Sequence, residues 1–110
     1  MNKLETLEHY FGHSSFRPLQ EEVVDAILAK QDVLMILPTG GGKSLCYQLP
    51  TLLMEGITVV VSPLLALMHD QVVALKASGI SAEMLSSMQD LEESQKIEAR
   101  LREGEIKLLY

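Results

Sequence analysis

The feature that most constrains this chain lies near its middle, where a glycine-rich stretch separates two apolar segments. Residues 37–44 read Leu-Pro-Thr-Gly-Gly-Gly-Lys-Ser. The apolar run at 33–37 has the length of a buried strand, and residues 45–49 can open a helix. A glycine loop between a strand and a helix lets backbone N–H groups converge at the positive end of the helix dipole. This order predicts a phosphate-binding loop in an α/β fold.

The side chains of this loop suit a nucleoside triphosphate. Four residues would surround the phosphates with backbone N–H groups: Thr39, Gly40, Gly41 and Gly42. Lys43 can reach the β- and γ-phosphates as the catalytic cation, and Ser44 can offer its hydroxyl to Mg²⁺. The alternative interpretation is an ordinary glycine-rich turn followed by an exposed lysine. We therefore expect a nucleotide and Mg²⁺ as ligands of residues 39–44.

Hydrophobic patterning on both sides of the loop alternates helices with strands. Helices are predicted at 4–11, 18–31, 64–77 and 91–102, and strands at 33–37, 57–61, 82–85 and 106–110. Pro50 predicts a kink or an early stop in the helix after the loop, and Gly79 is a predicted C-terminal cap. Strands that alternate with helices indicate a parallel sheet with helices packed against it.

Composition narrows the class of protein. With 110 residues the chain makes one domain at most, and its net charge of −6 argues against a large nonspecific nucleic-acid surface. No apolar run approaches the roughly 20 residues that a membrane helix needs. The single cysteine, Cys46, excludes an internal disulfide and fits a reducing cytosol. We interpret Cys46 as a small packing residue rather than a nucleophile.

A polar and aromatic segment precedes the first predicted strand. Residues 11–20 read Phe-Gly-His-Ser-Ser-Phe-Arg-Pro-Leu-Gln. The Gln20 amide can both donate and accept, which matches the N6 and N7 edge of adenine, and Arg17 can stack on a base or contact phosphate. By itself this segment is equally consistent with a helix-packing corner that carries an exposed glutamine.

A second segment follows the strand predicted at 57–61. Residues 62–72 read Ser-Pro-Leu-Leu-Ala-Leu-Met-His-Asp-Gln-Val. A strand-to-helix loop at the carboxyl edge of a parallel sheet is a common ligand position, and Ser62 with nearby N–H groups could hold a nucleic-acid phosphate. The alternative is a simple helix start, and inward core packing explains Leu65, Met68 and Val72 better than binding does.

Taken together, the three segments resemble the RecQ-family DNA helicases over nearly the whole chain. The matching patterns are Phe-Gly-x-x-x-Phe-Arg-x-x-Gln, then Pro-Thr-Gly-Gly-Gly-Lys-Ser, then Ser-Pro-Leu-x-x-Leu-Met-x-Asp-Gln-Val. Leu37 stands where many kinases and small GTPases keep a glycine. A chain that lacks this glycine but has Pro-Thr-Gly-Gly-Gly-Lys-Ser resembles the superfamily 2 helicases. The resemblance implies a parallel sheet with flanking helices that forms part of a RecA-like P-loop domain.

The resemblance also implies roles for single residues. Residues 1–31 would be a helical adenine-recognition region in which Arg17 and Gln20 contact ATP. His13 would stack on the adenine, or else face solvent in a turn. Five residues would contact DNA: Ser62, Pro63, Leu64, Asp70 and Gln71. The intact enzyme would couple Mg-ATP hydrolysis to 3′–5′ movement on single-stranded DNA and to unwinding at duplex junctions, in repair and recombination in the bacterial cytoplasm and nucleoid.

Finally, the resemblance implies that residues 1–110 are the N-terminal part of the first motor domain. The family's Asp-Glu-x-His box does not occur among them. We expect these residues alone to be marginally stable and unable to unwind DNA, with the remainder of a helicase chain as their partner. Two alternatives remain: another P-loop enzyme such as a nucleotide kinase, or a stand-alone nucleotide- or partner-binding module without hydrolysis.

Overall fold

The computed structural model describes residues 1–38, 42–87 and 89–110, which divide into two units, Met1–Glu55 and Gly56–Tyr110. The first unit contains three helices: α1 (Lys3–Phe11), α2 (Gln20–Leu28) and α3 (Leu45–Leu53). The second contains β1 (Thr58–Val59), α4 (Leu65–Ala77), β2 (Ala82–Glu83), α5 (Leu91–Arg102) and β3 (Leu108–Leu109). Helices therefore occur close to every position where the periodicity predicts one.

The three helices of the first unit enclose a small apolar core. Its buried members are Leu7, Val24, Leu45 and Leu49, and Phe11, Phe16, Leu28 and Leu53 pack against them half-buried. Helix α1 begins with a capping box, because the Asn2 side chain accepts the Glu5 N–H while Glu5 accepts the Asn2 N–H. It ends at Gly12, whose φ of 73° few other residues adopt.

The prediction of a buried strand at 33–37 is wrong. These residues form no strand, and the side chains of Leu34 and Ile36 are 90% and 86% exposed. A strand requires a neighbouring strand to satisfy its N–H and C=O groups. The described part of the first unit contains helices and no second strand, so this apolar run has no partner within its unit. An apolar run indicates that its side chains favour burial. The neighbouring strand that would complete its backbone hydrogen bonds must come from elsewhere in the chain.

The expected early stop at Pro50 does not occur either, because α3 continues for three residues beyond it. Proline removes one N–H from the helical ladder and costs about 3 kcal/mol in a helix interior. Here the Pro50 side chain is buried beside Leu49, and burial of apolar surface offsets that cost. The Thr51 hydroxyl also donates to the Tyr47 carbonyl at 2.8 Å, which adds a hydrogen bond across the same turn.

The second unit contains a three-stranded parallel sheet with the order β1-β3-β2. Leu108 on the central strand aligns with Thr58 of β1 and with Ala82 of β2. Hydrogen bonds extend the pairing beyond the short strands, as from the Val60 N–H to the Leu109 carbonyl at 2.8 Å. The predicted parallel sheet is confirmed, and each of its strands lies inside a predicted apolar run.

Helix α4 contacts β2 and contributes to the core of the second unit. The buried apolar residues there are Met68, Val72, Leu75, Ile80, Ala82, Ile97, Ile106, Leu108 and Tyr110. Met68 and Val72 face inward as expected, but Leu65 is 41% exposed, which corrects its predicted inward packing. Because α4 is apolar around most of its circumference, helical spacing alone did not identify the buried face. Gly79, with a φ of 85°, follows its end as predicted.

Candidate functional site

The described part of the glycine-rich loop leads directly into α3. Gly42 has a φ of 80°, a left-handed conformation that favours glycine. Lys43 is exposed, and Ser44 already has helical dihedral angles of −62° and −37°. The first turn closes where the Cys46 N–H donates to the Lys43 carbonyl at 3.1 Å. The predicted phosphate-binding residues Thr39, Gly40 and Gly41 lie outside the described residues.

The start of α3 suits an anion. Its N-cap residue, Ser44, makes no side-chain capping hydrogen bond within the described part of the chain, and its first turn contains no acidic residue. In contrast, α1 and α5 are capped by Asn2 and Asp90 and carry glutamates in their first turns. An uncapped helix start offers unpaired N–H groups and a partial positive charge to a phosphate. Helix α4, which follows the predicted DNA-contacting loop, is also uncapped and free of acids in its first turn.

Gln20 lies at the beginning of α2 and contacts the glycine-rich loop. Its side-chain Nε2 donates to the Gly42 carbonyl at 3.1 Å, and its Oε1 accepts the Arg17 backbone N–H at 2.8 Å. The residue is only 4% exposed. Leu19, immediately before it, has a φ of 72°, which is uncommon for a leucine. The structure therefore brings the predicted adenine-recognition glutamine against the predicted phosphate loop.

The other two residues predicted to recognise adenine lie on the surface. Arg17 is exposed, and its Cδ lies 3.8 Å from the position that a Cβ on Gly42 would take, so its side chain is close to the loop. His13 is exposed in the turn between α1 and α2. The geometry thus groups Arg17 and Gln20 with Gly42, and it leaves the role of His13 as a prediction.

Cys46 has a part in this site that the sequence did not reveal. It is 1% exposed, which agrees with its interpretation as a packing residue. Its Sγ also donates to the Gly42 carbonyl at 3.6 Å. Burial raises the pKa of the Cys46 thiol, so the proton needed for this hydrogen bond is retained. The spacing was an available signal, because a residue four positions after Gly42 on a helix start points back toward it.

The second predicted site begins where β1 ends. The Ser62 hydroxyl accepts the Leu64 N–H at 3.2 Å, which forms a local turn, and Pro63 and Leu64 are exposed. This loop lies at the carboxyl edge of the parallel sheet, where α/β folds commonly bind ligands. Asp70 is exposed on α4 and Gln71 is half-buried, roughly 9 Å or more further along the helix axis. Ser62, Pro63 and Leu64 therefore form one group, and Asp70 and Gln71 another.

The described residues contain neither a metal-ligand cluster nor a membrane-spanning helix. In residues 1–38, 42–87 and 89–110, no group of three or more His, Cys, Asp or Glu side chains is placed to hold a metal ion. None of the helices in the same part of the chain is both long and apolar enough to cross a membrane. The Ser44 hydroxyl thus stays the one predicted Mg²⁺ ligand.

Comparison with known proteins gives consistent matches. The family model described as DEAD/DEAH box helicase matches residues 17–110. The chain is 51% identical over 107 residues to the ATP-dependent DNA helicase RecQ of Haemophilus influenzae, which covers 97% of this chain and 17% of that protein.

Two further relatives give similar matches. The RecQ of Bacillus subtilis is 48% identical over 105 residues, or 94% of this chain and 18% of the relative. The ATP-dependent DNA helicase Q1 of Mus musculus is 43% identical over 108 residues, or 96% of this chain and 17% of the relative. The chain therefore spans less than a fifth of the length of these three relatives.

Proposed function

This chain belongs to the DEAD/DEAH box helicase family, and we propose that it carries the ATP-binding part of a RecQ-like ATP-dependent DNA helicase. The RecQ resemblance predicted from the three motifs is confirmed by relatives of that name at about half identity. Residues 1–110 would form the N-terminal part of the first RecA-like domain, with residues 1–31 as its adenine-recognition region. The family match disfavours the nucleotide-kinase alternative.

The observation that carries this proposal is the hydrogen bond between Gln20 and the Gly42 carbonyl. It joins the segment predicted to bind adenine to the loop predicted to bind phosphate, which supports a single nucleotide site made from both. The residues present also fit the nucleotide chemically, since α3 starts without a cap or an acid. Lys43 would hold the β- and γ-phosphates, and Ser44 would hold Mg²⁺, which neutralises phosphate charge when bound.

DNA would bind at the loop after β1. The acid-free, uncapped start of α4 and the exposed Pro63 and Leu64 support this assignment. Backbone N–H groups can hold a DNA phosphate without basic side chains, which accommodates a net charge of −6. Further along α4, Asp70 and Gln71 would contact DNA or would couple DNA binding to ATP hydrolysis. The whole enzyme would move 3′ to 5′ and act in repair and recombination, in the cytoplasm near the nucleoid.

The test uses the protein purified in its full natural length. We expect DNA-stimulated ATP hydrolysis and unwinding of a duplex with a 3′ single-stranded tail, but not of one with only a 5′ tail. Lys43→Ala should reduce hydrolysis by at least about a hundredfold, because it removes a cation that acts on the transferring phosphate. Lys96→Ala is the matched control, since Lys96 is an exposed lysine paired with Glu92.

The outcomes separate the proposal from its rival. Unwinding of the 5′-tailed substrate alone would contradict the proposed direction. Tight ATP binding with no DNA-stimulated hydrolysis would instead favour a nucleotide- or partner-binding module. Equal activity of the Lys43→Ala and Lys96→Ala variants would remove the phosphate loop from the mechanism.

A further inference from the structure

The carbonyl oxygen of Gly42 is held by two side-chain donors from different helices. Gln20 Nε2, at the start of α2, donates to it at 3.1 Å, and Cys46 Sγ, in the first turn of α3, donates at 3.6 Å. Both donor residues are buried. Backbone carbonyls in loops usually bond to other backbone groups or to water, so two side-chain donors on one loop carbonyl are a specific arrangement.

The orientation of the Gln20 amide follows from its other hydrogen bond. Its Oε1 accepts the Arg17 N–H at 2.8 Å, so the Nε2 end must face Gly42. Leu19 holds a left-handed φ of 72° just before Gln20, a conformation that is unfavourable for a leucine. Strain of this kind persists only where the surrounding structure imposes it, and it is concentrated at functional sites.

Holding this carbonyl has a consequence for anion binding. A phosphate cradle needs N–H groups directed at the ligand, and a carbonyl oxygen turned toward it would repel the phosphate. A carbonyl that already accepts two side-chain hydrogen bonds from the protein is held in those contacts and is less free to turn toward an anion. We propose that Gln20 and Cys46 are positioning residues that set the phosphate loop through the Gly42 carbonyl, so that Gln20 supports triphosphate binding independently of any contact with the base.

This inference rests on the proposed nucleotide site, and a ligand without a base tests it. The probe is Mg-tripolyphosphate, with Mg-ATP in parallel, measured by calorimetry on the full-length protein. Gln20→Met keeps the side-chain length and removes the donor. We expect the Kd for tripolyphosphate to rise about fivefold in this variant and about twofold in Cys46→Ala, in line with the loss of one hydrogen bond each.

The double variant Gln20→Met/Cys46→Ala removes both side-chain donors from the carbonyl. Its loss of tripolyphosphate affinity should exceed the product of the two single losses, because the second removal deletes the last side-chain donor. Thr6→Val is the matched control, since it deletes a buried hydroxyl that donates to the Asn2 carbonyl at 2.8 Å in the same unit. Thr6→Val should leave both Kd values unchanged.

The binding measurements distinguish a positioning role of Gln20 and Cys46 from a role in base recognition alone. If Gln20→Met weakens ATP binding but not tripolyphosphate binding, Gln20 acts on the base alone and the inference is wrong. If Gln20→Met does not fold, Cys46→Ala decides, and an unchanged tripolyphosphate Kd there overturns the inference. A wild-type protein that binds neither ligand would refute the proposed function itself, whereas a wild type that binds both while the variants match it refutes only the positioning role.

Discussion

Among the glycines that the structure describes, all of which have positive φ, Gly42 differs in what surrounds it. A Cβ added at Gly12, Gly56, Gly79 or Gly104 would meet no atom within 4 Å. At Gly42 it would overlap the Nε2 of Gln20. Glycine is therefore required at this position for two reasons, the left-handed backbone and the close approach of a buried amide. The sequence alone suggests a third reason, which is that a glycine lets the loop backbone approach a phosphate closely.

Gly42→Ala tests the two structural reasons together. It should cost about 2–4 kcal/mol of stability, from backbone strain and from overlap with Gln20, and should weaken ATP binding at least about tenfold. Gly56→Ala is the matched control, because Gly56 has a similar φ of 89° and open space around it. It should cost about 1–2 kcal/mol and leave ATP affinity unchanged. Thermal melting and calorimetry measure both effects, and equal ATP affinity in the two variants would contradict the argument.

Glu83 is the centre of an ion-pair group in the second unit. Its Oε1 lies 2.9 Å from Lys76 Nζ and 2.7 Å from Arg100 Nη1, and its side chain is 14% exposed. Burial by itself would raise the pKa of Glu83. The hydrogen bonds and charges of Lys76 and Arg100 outweigh burial and hold the pKa below the ordinary value of 4.5. Glu83 thereby links α4 and α5 to β2.

The depressed pKa of Glu83 predicts a pH-dependent stability. A group whose pKa is lower when folded stabilises the protein fully above its unfolded pKa, and this contribution disappears as the pH falls through the folded value. Glu83→Gln should therefore lower the melting temperature at pH 7, and the difference from wild type should shrink below about pH 4.5. Glu92→Gln is the control, because its pair with Lys96 is exposed and contributes little. A pH-independent difference for Glu83→Gln would contradict the assignment.

Helices α2 and α4 end with the same hydrogen-bonding pattern but with different residues at the left-handed position. After α4, the Gly79 N–H bonds to the Lys76 carbonyl at 3.0 Å, and Gly79 has a φ of 85°. After α2, the same pattern appears with the Lys30 N–H bonded to the Ile27 carbonyl at 2.9 Å, but Lys30 has a φ of 61°. Glycine usually occupies this left-handed position, so α2 ends with a residue that is strained there.

Lys30→Gly should therefore stabilise the protein. Relief of the left-handed strain is worth about 1–2 kcal/mol, and the greater freedom of glycine in the unfolded chain opposes it, which leaves about 0.5–1 kcal/mol. Gly79→Lys is the converse variant and should destabilise by a similar net amount, about 0.5–1 kcal/mol. Chemical unfolding measures both changes, and destabilisation by Lys30→Gly would show that the Lys30 side chain makes a larger contribution than its backbone conformation costs.

At the scale of the whole molecule, several apolar residues are left exposed. Leu34 and Ile36 lie in the segment before the glycine-rich loop and are 90% and 86% exposed, and Val61, just after β1, is 93% exposed. The described part of the second unit pairs β1 on one side only, with β3. Exposed apolar residues beside unpaired backbone favour association between chains.

Residues 1–110 expressed alone should therefore self-associate. We expect the apparent mass in light scattering to increase with concentration, and Ile36→Lys should reduce this increase, because it places a charge in the exposed apolar segment. Leu91→Lys is the control, since Leu91 is also exposed but lies on α5, in the other unit. A monomer at all concentrations, with a sharp cooperative melting transition, would contradict the expected marginal stability.

The sequence by itself determined the family, the order of the helices and of the three strands that form, and the parallel sheet, although it also predicted a strand at 33–37 that does not form. These properties depend on periodicity, on turn residues and on a loop whose spacing is set by phosphate chemistry, all of which are local in the chain. The tertiary structure decided which apolar runs are buried, as Leu34 and Leu65 show. It also brought Gln20 and Cys46 to one carbonyl. Pairing partners and side-chain contacts form between residues distant in sequence, and periodicity within one segment carries no information about them.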